Sequence, residues 1–138
     1  MAIINMQTMR YINLLDKASH VKTSKCFVYN NTIIFAVPKD KVSKAIGPSA
    51  VNIKKLQEKL GKKVRIISQV NDKYDAGRFI GDVVSPVRFK SVEVSDGMVI
   101  ITAGSNQSKA SLIGRNKRRL IELSKIIKDT FSIEVKVV

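Results

Sequence analysis

The chain has 138 residues and a formal net charge of +14, from 25 Lys and Arg against 11 Asp and Glu. Its 44% hydrophobic and 26% charged composition is that of folded protein, and its length suits one ordinary domain or two very small ones. Apolar runs such as Thr32–Val37 fall far short of the roughly 18–20 residues of a membrane span. Met1–Arg10 lacks a basic stretch leading into an apolar core, so no signal peptide is expected. The single cysteine, Cys26, excludes an internal disulfide and a multi-cysteine metal site, and a reducing, cytoplasmic compartment is the expectation. A charge excess this large costs self-repulsion in the folded state. A polyanionic partner is its usual counterpart, nucleic acid first and an acidic membrane surface second. His20 is the only histidine and there is no tryptophan. No nucleophile with a matched His and acid, no phosphate-binding loop motif and no cluster of metal ligands is readable, so neither enzymatic activity nor a cofactor is expected.

In chain order, Met9, Ile12, Leu15 and Ala18 recur at helical spacing and predict a helix over 5–18. Residues 25–30 and 32–38 read as strands joined by an Asn30-Asn31 hairpin turn. Asp40 is a candidate cap for a short helix ending at Ile46. A Gly47 turn follows, then a helix over 50–60, with Gly61 placed as a C-terminal stop and a strand over 64–70. A helix over 74–84 is barred from continuing by Pro86. Strands are predicted at 87–95 and 98–103 around Asp96-Gly97. Helices at 106–113 and 117–129 flank Gly114, and a strand runs from 131.

This order repeats itself. Ile46-Gly47-Pro48-Ser49 returns as Ile113-Gly114-Arg115-Asn116 at an offset of 67, and Ile53, Leu56 and Leu60 map onto Leu120, Leu123 and Ile127. At the same offset Val64 and Ile66 map onto Phe131 and Ile133, while Ile33–Val37 matches Val99–Ala103 at 66. The chain reads as two units, 1–70 and 71–138, each α-β-β-α-α-β, an α+β fold with a three-stranded sheet and helices packed on one face. Units this small are marginal alone. The two are expected to pack together across a short, stiff junction near 70–74, as a monomer.

Each glycine turn brings the N-terminal end of a helix, with its unpaired N–H groups and positive dipole end, to the surface, where it can meet an anion. Glycine lets a phosphate backbone approach without a Cβ in the way. A four-nucleotide clamp on such a turn is the KH mode of RNA recognition. The element order with a Gly turn between the last two helices resembles a type II KH domain. Two in tandem, preceded by Met9–Leu15 and bridged by Phe79–Pro86, resemble the archaeal NusA-like transcription factor family over nearly the whole chain. That resemblance implies a non-enzymatic factor acting in transcription elongation or termination. It would bind single-stranded RNA, a nascent transcript, with RNA polymerase as its protein partner and no membrane contact.

The candidate RNA-binding residues are Gly47, Pro48, Ser49 and Ala50 with Lys54 and Lys55 in the first unit. In the second they are Gly114, Arg115, Asn116, Lys117, Arg118 and Arg119. The sequence departs from the Gly-x-x-Gly pattern at its fourth position, where Ala50 adds a methyl and Lys117 adds bulk but also a charge. Both clamps are therefore expected to bind more weakly than the pattern implies. Lys54, Lys55, Lys59, Lys62, Lys63 and Arg65 follow the first turn and Arg115–Arg119 crowd the second, whereas residues 70–96 hold four basic against five acidic residues. Two other readings share the fold: a protein-docking module of RNA polymerase and a ribosome-assembly RNA-binding factor. Phe27, Phe35, Phe89 and Phe131 are expected in strands and the core, His20 at the surface, and Cys26 inert.

Overall fold

The computed structural model describes residues 6–70, 72 and 75–138. Residue 5, where the first helix was expected to begin, and most of the expected junction, including Tyr74, lie outside the described residues. The chain divides into two compact units between Gln69 and Val70.

In the first unit, α1 (Met6–Ser19) is followed by β1 (Lys25–Tyr29), β2 (Thr32–Val37), α2 (Val42–Ile46), α3 (Val51–Leu60) and β3 (Lys63–Ser68). Asn30 and Asn31 both take positive φ, 49° and 60°, as a tight hairpin turn between right-twisted strands requires. β2 is central, antiparallel to β1 (Tyr29 opposite Thr32) and parallel to β3 (Ile33 opposite Val64). Ile33, Phe35, Val37 and Val64 face Tyr11 and Leu15 of α1, Ala45 of α2 and Leu56 of α3 in one apolar core. Ile34, Ala36 and Ile67, on the opposite face, are buried too, in keeping with the unbroken apolar run of β2.

The face of α1 differs from the expected one. Its buried stripe is Tyr11, Leu15 and Ser19, at a spacing of four, while Met9 is 52% exposed. Ser19 is tolerated there because its hydroxyl donates to the Leu15 carbonyl (2.7 Å) and accepts from Val21 N–H (3.2 Å). His20 is exposed at φ 59°, its N–H closing the helix on the Asp16 carbonyl. Asp40 does not cap α2: it sits inside a 3₁₀ turn (Lys39–Lys41), and α2 starts with no side-chain cap. Gly61, left-handed at φ 65°, ends α3 as expected.

In the second unit, α4 (Ala76–Val84) leads to β4 (Ser91–Ser95), β5 (Met98–Thr102), α5 (Asn106–Ile113), α6 (Arg118–Phe131) and β6 (Glu134–Val137). α4 buries Ala76, Phe79, Ile80, Val83 and Val84 on one face, and Arg78 on the other bridges Asp75 (3.1 Å) and Asp82 (2.9 Å). It stops at Val84, before a cis Ser85–Pro86 peptide. Register aligns Val92 with Ile101, Val94 with Val99, Val99 with Val135 and Ile101 with Val137. One sheet face is thus valine and isoleucine, while Glu93, Glu134 and Lys136 point away into solvent. Ser105 caps α5, its hydroxyl accepting from Ser108 N–H at 3.1 Å.

Two strand expectations are corrected. Residues 87–90, Phe89 among them, form a loop ahead of β4. Phe131 is the last residue of α6, and its ring meets Phe79 edge-on at 5.8 Å. The reason is a length difference: α6 has 14 residues where α3 has 10, about one extra helical turn. The repeat offset therefore steps from 67 at the Gly turn to 71 at the last strand, where Val64 and Ile66 correspond to Val135 and Val137.

Candidate nucleic-acid interface

The two turns have the same backbone. Gly47 (φ 81°, ψ 166°) and Gly114 (φ 76°, ψ 173°) end their helices, each N–H donating back to the carbonyl four residues earlier, Ser43 and Ala110. Two residues later the chain turns left-handed twice in succession, at Ser49 (φ 53°) and Ala50 (φ 58°) and at Asn116 (φ 56°) and Lys117 (φ 60°). The turns close by equivalent bonds: Ala50 N–H to the Gly47 carbonyl (3.1 Å) and Lys117 N–H to the Gly114 carbonyl (3.2 Å). α3 and α6 then begin. Neither carries a side-chain cap or an acidic residue in its first turn. The positive ends of both helices are thus left without a neutralising group of their own.

A glycine is required at the head of each turn for two reasons. A φ near 80° with ψ near 170° is a conformation essentially closed to other residues. A Cβ on Gly47 would lie 2.8 Å from Asn52 Nδ2 and 2.9 Å from Val51 Cγ1, and one on Gly114 would lie 2.8 Å from Arg119 Cγ.

Around the turns, Pro48, Ser49, Lys54 and Lys55 are exposed, as are Arg115, Asn116, Lys117 and Arg118; Ala50 is half-buried. Lys54, Lys55 and Lys59 are exposed along α3, whereas Leu56 is buried. Cationic charge lies on the helix behind the first turn and on the second turn itself. Arg119 differs from its neighbours: it is half-buried, and Nη1 donates to the Ser111 carbonyl at 3.1 Å. Asn52, which the sequence reading passed over, does the same at the matched position, its Nδ2 donating to the Lys44 carbonyl at 3.2 Å. The signal for it was a polar residue one helical turn ahead of Leu56 on the apolar face of α3.

Cys26 is half-buried in β1, and burial pushes its thiol from 9.0 up to about 12, which makes it a poor nucleophile. Among the described residues no three His, Cys, Asp or Glu side chains are grouped to hold a metal ion, and no helix is long and apolar enough to cross a membrane.

The KH domain family matches residues 32–81, from β2 through the first Gly turn and α3 into α4. A protein of Methanocaldococcus jannaschii named "Probable transcription termination protein NusA" is 27% identical over 120 residues, covering 85% of this chain and 64% of that protein. A protein of the same name from Halococcus morrhuae is 24% identical over 88 residues, 64% of this chain and 61% of its own length. This chain therefore spans less than two thirds of either curated relative. The crystal structure of APE1850 superposes with a TM-score of 0.67 at 26% identity, over 98% of this chain and 100% of that one. The fold and these likenesses agree: residues 32–81 match the KH domain family, and the chain as a whole is similar to archaeal proteins named for NusA.

Proposed function

We propose that the chain is a non-enzymatic RNA-binding factor acting in transcription elongation or termination, and that single-stranded RNA binds across its two Gly turns. The observation that carries this reading is the repetition, in two units of different local sequence, of one uncapped turn-and-helix backbone surrounded by cations. The first-turn N–H groups of α3 and α6 hold phosphates, helped by Lys54 and Lys55 at one turn and by Arg115, Lys117 and Arg118 at the other. Bases are read in the grooves beside the turns. The names of the two archaeal relatives, which speak of transcription termination, support the process, and RNA polymerase is the protein partner that this process implies.

A second reading, a docking module for the polymerase in which RNA contact is reduced, is favoured by Ala50 and Lys117, whose side chains stand where the KH clamp has its second glycine. Titration of a fluorescent single-stranded RNA of about a dozen nucleotides at 50 and 200 mM salt separates the two. Neutralising about four phosphates gives a slope near −2.8, so this salt change weakens binding about fiftyfold. Absence of binding at low salt leaves the docking reading in its place.

A further inference from the structure

Asn52 and Arg119 are different residues making the same bond. Each lies five residues after the glycine that heads its turn, and each donates to the carbonyl three residues before that glycine, Lys44 and Ser111. Both carbonyls belong to the last turn of a helix, where acceptors lose their partners as the helix ends. The Lys44 carbonyl would look to the N–H of residue 48, which is Pro48 and has none. The Ser111 carbonyl loses its partner because Gly114, at ψ 173°, turns the chain out of the helix before residue 115. The glycines leave room for these donors: a Cβ on Gly47 would strike Asn52 Nδ2 and Cγ as well as Val51 Cγ1, and one on Gly114 would strike Arg119 Cγ, Cβ and N.

We infer that Asn52 and Arg119 are equivalent positioning residues. Each ties the helix after its Gly turn to the helix before it and so fixes the spacing on which the turn's grip on an RNA backbone depends. The inference rests on the RNA-binding reading above. It assigns Arg119 a role through its hydrogen bond, not its charge, and sets it apart from exposed Arg115, Lys117 and Arg118. A bond kept by a short neutral amide in one unit and a long cationic fork in the other is a constraint on geometry.

The test compares Arg119→Ala, Arg119→Asn and Asn52→Ala with the wild-type chain, each checked for an intact fold by thermal melting. Loss of one such bond predicts that Arg119→Ala and Asn52→Ala weaken binding of a dodecamer single-stranded RNA about fivefold. Arg119→Asn, which installs the first unit's own donor, recovers affinity to within about twofold of wild type with the salt slope unchanged. Without RNA, backbone amide exchange across 47–53 in Asn52→Ala and across 114–120 in Arg119→Ala speeds up about fivefold, and Arg119→Asn slows it again. Binding by Arg119→Asn as weak as by Arg119→Ala, with a slope shallower by about 0.7, identifies a phosphate contact and overturns the inference. Unchanged exchange in the alanine variants overturns it as well. If wild type binds no RNA while exchange responds as expected, the RNA-binding reading fails and the bonds are features of the fold alone, which overturns the positioning role.

Discussion

Replacing the fourth residue of either turn by glycine separates the cost of the turn's backbone from its contribution to binding. Ala50 (φ 58°, ψ 31°) and Lys117 (φ 60°, ψ 19°) are held left-handed, which costs an L-residue with a Cβ about 1–2 kcal/mol. Glycine removes that cost but gives the unfolded chain more freedom, worth about 0.4–1 kcal/mol in the other direction. Ala50→Gly and Lys117→Gly should therefore each stabilise the fold by about 0.5–1 kcal/mol, raising Tm by about 2–8 °C for units of this size. Urea and thermal denaturation read this directly. RNA affinity should move independently of it. Ala50→Gly clears one methyl from the backbone path and holds or improves affinity. Lys117→Gly removes a cation, weakens binding and lowers the salt slope by about 0.7. Destabilisation by both variants would refute the reasoning, because the left-handed cost would then not be stored at these positions.

Gly47→Ala should destabilise the chain by about 2–4 kcal/mol in urea titration, combining a backbone region nearly closed to Cβ-bearing residues with the loss of the Asn52 bond; a change below about 1 kcal/mol would contradict it. Leu56→Ala and Leu123→Ala, at sites 1% and 0% exposed, should each cost about 2–5 kcal/mol by the same assay. The Cys26 thiol is raised from 9.0 to about 12 by burial, so the folded chain holds its proton where the unfolded chain has lost it. Its contribution is full below pH 9 and declines as pH rises from 9 towards 12. Comparing the stability of wild type and Cys26→Ala across that range isolates the effect: the wild type should lose more stability than the variant above pH 9. Iodoacetamide at pH 8 should label Cys26 slowly in the native chain and rapidly in urea.

The repeat and its two Gly turns were legible in the sequence because local chemistry fixes them. Only glycine suits φ and ψ near 80° and 170°, and Asn30-Asn31 and Gly61 mark turns by the same preference for positive φ. Features set by tertiary packing were not legible. The buried stripe of α1 includes Ser19, whose polarity hides it from any hydropathy pattern until its bonds to Leu15 and Val21 are seen. The extra turn of α6 carries Phe131 onto Phe79, a contact between distant parts of the chain, and the residue reads equally well as strand in isolation. Asn52 and Arg119 look like ordinary polar helix residues. Arg119 in particular is indistinguishable by composition from Arg118, and only its half-buried position and the Ser111 carbonyl set it apart.

The most direct test of RNA binding at the Gly turns is the affinity of the chain carrying both Ser49→Asp and Arg115→Asp for a single-stranded RNA dodecamer, against wild type. Both positions are exposed on the turns, so the fold should survive while an anion is placed at each proposed phosphate path. The account predicts salt-sensitive binding by wild type and a loss of about a hundredfold or more in the double variant, since each change sets a like charge against phosphate. Binding by the folded double variant within about twofold of wild type would contradict it and place the RNA elsewhere on the molecule.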